Sequence, residues 1–146
     1  MTRITKYIIA GCATCLVLSA HAAVCSLNVV GINFGSYYVA NTTPLDGSGT
    51  IDVSCDVRTA FEVSFSTGLS GTYTTRQMAY GSSRLTYNLY RNAARNRILG
   101  DGTGNTEVLS VNNARNRSFT IYGRVPAQQN VYVGSYSDNV IVTVTF

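Results

Sequence analysis

The sequence predicts an all-β protein, a single antiparallel β-sandwich domain, and three observations predict it. Short runs alternate apolar and polar residues with period two, and glycine-rich turn clusters separate them. Residues 23–146 carry no 3.6-residue apolar stripe of the kind a long helix requires.

The strands follow in order. Residues 50–55 and 61–65 alternate, with Phe61, Val63 and Phe65 on one face and Glu62 and Ser64 on the other. Residues 85–90 and 119–125 repeat the pattern. The clearest strand is the C-terminus, where Val140, Val142, Val144 and Phe146 share one face and Ile141, Thr143 and Thr145 the other. It is almost wholly β-branched, which suits a pleated, half-buried surface. Turns are expected at Asp46-Gly47-Ser48-Gly49, at 68–71, at Asp101-Gly102-Thr103-Gly104 and at 134–138.

The N-terminus predicts export. Arg3 and Lys6 precede an apolar run over 8–18, and Ala20-His21-Ala22 supplies small residues for cleavage, so residues 1–22 read as a signal peptide and 23–146 as the mature domain. Beyond the leader no apolar run is long enough to span a membrane as a helix. Cys12 and Cys15 leave with the leader, and Cys25 and Cys55 remain as one pair in an oxidising compartment. They are expected to form a structural disulfide, worth roughly 3–4 kcal/mol of unfolded-state entropy on the chain-entropy account. No metal site is expected, since neither a Cys-x-x-Cys spacing nor a histidine partner survives cleavage.

The formal charge of +4 falls to +2 once Arg3 and Lys6 are removed, and every remaining basic residue is arginine. Arg91, Arg95, Arg97, Arg115 and Arg117 are interleaved with asparagine and alanine. Nothing among them would stack bases, so they read as solvated loops and strand ends, and no nucleic-acid partner is expected. The only histidine lies in the leader, and the acids sit beside glycine turns or within strands. That inventory does not suggest general acid-base catalysis, and the chain is expected not to be an enzyme and to need no cofactor. Asp101-Gly102-Thr103-Gly104-Asn105 offers oxygen atoms but lacks the bidentate acid of a calcium loop, and reads as a plain turn.

In this order the residues are similar to a known family. Cys25, Ile32-Asn33-Phe34-Gly35-Ser36-Tyr37, Gly49-Thr50-Ile51-Asp52-Val53-Ser54-Cys55, Leu85-Thr86-Tyr87-Asn88-Leu89-Tyr90-Arg91, Gly100-Asp101-Gly102, Ile121-Tyr122-Gly123-Arg124-Val125 with Gln128, and Gly134-Ser135-Tyr136-Ser137-Asp138 together resemble the spore coat protein U domain, also the subunit domain of archaic, Csu-type chaperone-usher pili. The resemblance implies an immunoglobulin-like sandwich missing its final strand. It also implies a groove beside the C-terminal strand, filled first by a periplasmic chaperone and then by a neighbouring subunit delivered to an outer-membrane usher. Val140, Val142, Val144 and Phe146 would be the edge that receives the incoming strand. Such rod subunits carry a donor extension before the first cysteine. Here the expected cleavage leaves one to three residues, too few for a pairing strand. The implied role is therefore an acceptor at a fibre tip or a minor subunit on the cell surface. Cleavage near Ala13 would reverse that, because Leu16, Leu18, Ala20, Ala22 and Val24 alternate as a donor should. The alternative function is a stand-alone secreted coat or surface-binding module.

Overall fold

Two long, bent strands organise the chain, and neither is interrupted by a proline. Residues 22–146 are described by a computed structural model; residues 1–21, nearly all of the expected leader, lie outside the described residues. The strands are β1 (Cys25–Val30), β2 (Leu45–Phe65), β3 (Arg76–Tyr80), β4 (Ser83–Tyr90), β5 (Leu109–Val125) and β6 (Val142–Thr145). A single 3-10 turn, Gly68–Ser70, is the one helical element among them.

All pairings between these strands are antiparallel, in the order β1-β2-β5-β4-β3, with β6 attached to β2 as well. β2 and β5 shift register between Ser54 and Thr59 and again before Phe61. Such bulges bend a strand and raise its twist, so β2 runs on from one layer of the sandwich into the other. The inner face is Ile51, Val53, Phe61, Val63, Phe65, Leu85, Tyr87, Leu89, Leu99, Leu109, Ile121 and Val125, all buried. The alternating residues of the sequence supply most of this core, as period-two patterning requires. Cys25 stands opposite Cys55 in the β1–β2 ladder, and the two form a disulfide.

Two expectations need correction. Asp46-Gly47-Ser48-Gly49 is not a turn but the start of β2. Gly47 pairs with Gly123 across the ladder, and the space left by the two glycines takes Ile32 and Phe34. A Cβ on Gly47 would lie 2.7 Å from Ile32 Cγ2, and one on Gly123 2.6 Å from Phe34 Cζ. These glycines serve close approach rather than chain reversal. The C-terminal strand is also shorter than its sequence pattern, since Val140 precedes β6 and Phe146 follows it.

Among the described residues the largest fully buried side chain is a cation. Arg76 on β3 is 0 % exposed. Its Nε and Nη2 donate to Ser66 O, Nη2 also to Leu99 O, and Nη1 to Asn88 Oδ1, while the guanidinium lies 5.3 Å from the Tyr73 ring centre. Burial lowers its pKa, the cost of holding a charge away from water. Asn88 Nδ2 in turn donates to Tyr73 O and Thr74 O. Four chain segments thus meet at one side chain whose fork geometry satisfies several carbonyls at once.

Candidate functional site: an open groove between two strand edges

β1 and β6 lie along the same side of β2, β1 beside 50–55 and β6 beside 62–65. The bend between those stretches carries them into facing layers, and neither has a second strand partner among the described residues. Between them lies a groove. One part, about 400 Å3, has Val29, Ile32 and Phe34 on one wall and Tyr136, Val140 and Val142 on the other, above Ile51, Phe65, Tyr87 and Leu89. It continues past Ile32, Phe34, Met78 and Tyr136 into a second part of about 730 Å3, walled by 32–39 and 131–136.

The groove is apolar because core-facing side chains are left uncovered. Leu27 stands opposite Val53 and Val29 opposite Ile51, so both point to the inner face. Val53 and Ile51 are 1 % and 2 % exposed, whereas Leu27 and Val29 are 39 % and 46 % exposed. The main chain is open at the same place. Residues 31–37 belong to no strand and pair their backbone with no neighbouring strand among the described residues. An edge of free N–H and C=O groups beside apolar pockets is a template for an added strand.

Side chains hold the walls apart. On one side Tyr37 Oη donates to Pro126 O at 3.0 Å and accepts from Gln129 N at 2.7 Å. The Gln129 amide then imitates a strand partner, Oε1 accepting from Thr86 N and Nε2 donating to Thr86 O. On the other side Asp138 accepts from Tyr87 Oη at 2.7 Å and from the amides of Leu69 and Asn139. Burial, then the Asp138 hydrogen bond and charge, push the Tyr87 phenol far above its ordinary range. The bridge between Ala79 and Ser137 fixes this wall to β3. Phe34 meets Tyr87 edge to face at 6.0 Å across the groove floor.

The sequence-derived edge residues occupy different places. Val140 and Val142 line the groove. Val144 is half-buried opposite Val63, and Phe146 is exposed beyond the end of β6. The opposite wall, Val29 with Ile32 and Phe34, carries no role in the sequence reading, although Ile32 and Phe34 alternate within one of its motifs. Tyr136 and Asp138 are likewise missed.

The sequence profile of the Spore Coat Protein U domain matches residues 12–143. The chain belongs to that family. Protein U of Myxococcus xanthus is 30 % identical over 128 residues, covering 79 % of this chain and 71 % of that protein. Among solved structures, the complex of the CsuC chaperone with the CsuE tip adhesion subunit, a pre-assembly complex from the archaic chaperone-usher Csu pili of Acinetobacter baumannii, matches with a TM-score of 0.62 at 24 % identity. The match covers 86 % of this chain and 40 % of the other, so this chain spans less than half the length of that structural relative. At this identity the likeness speaks for the fold alone, an all-β, immunoglobulin-like antiparallel sandwich.

Proposed function

We propose that this spore coat protein U domain is an exported structural or adhesive subunit of a chaperone-usher surface pilus, completed by a strand taken from another chain. The observation that carries the reading is the exposure of Leu27 and Val29 on a face where their ladder partners are buried. An inserted strand would cover them and pair with the open edges, main-chain hydrogen bonds supplying strength and alternate side chains filling the pockets. A periplasmic chaperone would occupy the groove first, beside Val140, Val142 and Val144, before an outer-membrane usher exchanges it for a neighbouring subunit. With cleavage after Ala22 the chain accepts a strand and donates none, which suits a fibre tip or a minor subunit. The role is binding and assembly, with no catalysis.

The test is co-expression of the full chain with a periplasmic chaperone of an archaic chaperone-usher system. A 1:1 complex that protects backbone amides of 29–37 and 139–145 from hydrogen exchange is the expected result. A chain that stays a free, cooperative, high-melting monomer in the chaperone's presence overturns it. The family's description and the relative named Protein U favour a second reading, a stand-alone coat module, and that same monomer is what this reading expects.

A further inference from the structure

Eleven basic residues less Arg3 and Lys6 leave nine arginines in the described chain, and six have evident structural work. Arg91 and Arg97 both reach Glu107. Arg95 and Arg124 share Asp46, at 3.3 and 2.7 Å. Arg76 is the buried hub, and Arg84 Nη1 donates to the carbonyls of Gly81 and Ser83. Arg58, Arg115 and Arg117 remain. Among the described residues none of the three has a carboxylate within 4.0 Å or a side-chain hydrogen bond.

The fold gathers these three. Ser54 pairs with Asn116 and Thr59 with Ala114, so residues 55–58 of β2 all stand opposite Arg115 alone. The bulge throws Arg58 out of the ladder, and it lines one open depression of about 680 Å3 with Arg115, Arg117, Asn113, Ala114 and Asn116. The near end of the bulge is fixed. Cys55 is tied to Cys25, Asp56 N donates to Val24 O, and Val24 N donates to Asp56 Oδ1. The acid nearest to Arg58 in sequence is therefore already engaged by a backbone amide. Like charges gathered on adjacent strands without a counter-charge oppose folding. The fold carries that cost here although it neutralises four other arginines with two acids.

The chemistry of the lining selects the ligand. Guanidinium forks pair bidentately with carboxylate and sulfate. Asn116 Oδ1 accepts from Ser54 Oγ at 2.8 Å, which leaves its NH2 group to donate, and among the described residues no hydrogen bond engages the Asn113 amide. Such amides suit hydroxyls. No aromatic face is present to stack a base, and the only apolar side chain in the lining is Ala114, too small to anchor in acyl chains. An open trough presenting several cations and two amides fits a hydrated polymer better than a single ion.

We propose that the β2–β5 bulge is a binding site for polyanionic carbohydrate, with Arg58, Arg115 and Arg117 pairing its carboxylates or sulfates and Asn113 and Asn116 its hydroxyls. No residue of this lining lines the groove, so the site stands whether or not the groove takes a strand.

The experiment passes the exported protein, in whatever complex it leaves the cell, over beads of polygalacturonate, dextran sulfate and neutral dextran. Retention on both charged polymers, release as salt rises, and none on neutral dextran are expected. The variant R58Q/R115Q/R117Q loses retention at least tenfold, while R91Q/R97Q, also at exposed arginines, keeps it. On the unmutated protein, dextran sulfate protects Arg58, Arg115 and Arg117 from phenylglyoxal and leaves Arg84 reactive, a readout independent of any variant's folding. Unchanged retention by the triple variant, equal loss in R91Q/R97Q, or unprotected arginines overturn the site. Equal or tighter binding to duplex DNA, phosphatidylglycerol vesicles or polyglutamate overturns the carbohydrate assignment.

Discussion

The two sides of β2 are treated unequally. Toward β5 the strand is paired along most of its length, and beyond that ladder Arg76 and Asn88 satisfy one another and four carbonyls in the dry interior. On this closed side, and among the described residues generally, no buried side-chain nitrogen or oxygen is left without a partner. On the other side two short strands share the edge and leave a gap, with core-facing Leu27 and Val29 half in water. Unpaired backbone and uncovered apolar surface coincide there. A fold that is loosely packed throughout would scatter both defects; here they are concentrated at one gap.

The sharpest way to break the contrast is to attack the closed side. Arg76→Met should cost about 3–5 kcal/mol, because it strands Asn88 and the Ser66 and Leu99 carbonyls in the interior. Urea denaturation of the exported protein measures it, and a loss below about 1 kcal/mol would show that the hub is not what holds this side. Next in size, Cys25→Ser with Cys55→Ser should lower stability by roughly 3 kcal/mol, read from the same titration. On the open side the pattern should invert. Val29→Asp adds a charge where the side chain already meets solvent, so stability changes by about 1 kcal/mol or less. Capture of the chaperone or of a strand peptide in a pull-down should nevertheless fall at least tenfold. If both fall together, the groove wall is ordinary core and the contrast fails.

Proton linkage gives smaller effects on each side. The folded state raises the Tyr87 pKa, so its contribution is present below the ordinary phenol value near 10 and is lost as pH climbs beyond it. Melting temperature should hold to about pH 10 and then drop, and Tyr87→Phe should flatten that drop. Asp46 is lowered, first by its hydrogen bond from Arg124, so its contribution is present above about pH 4 and is lost as pH falls further. The pair lies at the surface with each side chain in contact with water, and Asp46→Asn should cost no more than about 1 kcal/mol, seen as a shallower acid limb in a melt series.

The alternating segments were legible because their faces differ in burial: 50–55, 61–65, 85–90, 119–125 and the residues of β6 all lie in strands. The first part of β5 was not. Asn112, Asn113, Arg115, Asn116 and Arg117 look like loop residues, and only the long-range pairing with β2 makes them a strand. β3 was hidden for a related reason, since Arg76 is a residue type that composition places on the surface. The turn at Asp46-Gly47-Ser48-Gly49 was misread because glycine marks close packing as well as reversal. One wall of the groove could be seen in Val140 and Val142. The other could not, because Ile32 and Phe34 gain their place from glycines far along the chain, and a gap between strands has no residues of its own to read.

That glycine pair has a consequence for the opening above it. Ile32 and Phe34 sink into the notch made by Gly47 and Gly123, and they are also among the residues shared by both parts of the groove. A single methyl group at either glycine would lift them, and the direction in which they can rise is into the channel. The width of the entrance is therefore set from beneath, by two hydrogen atoms, and alanine there would make the molecule its own plug.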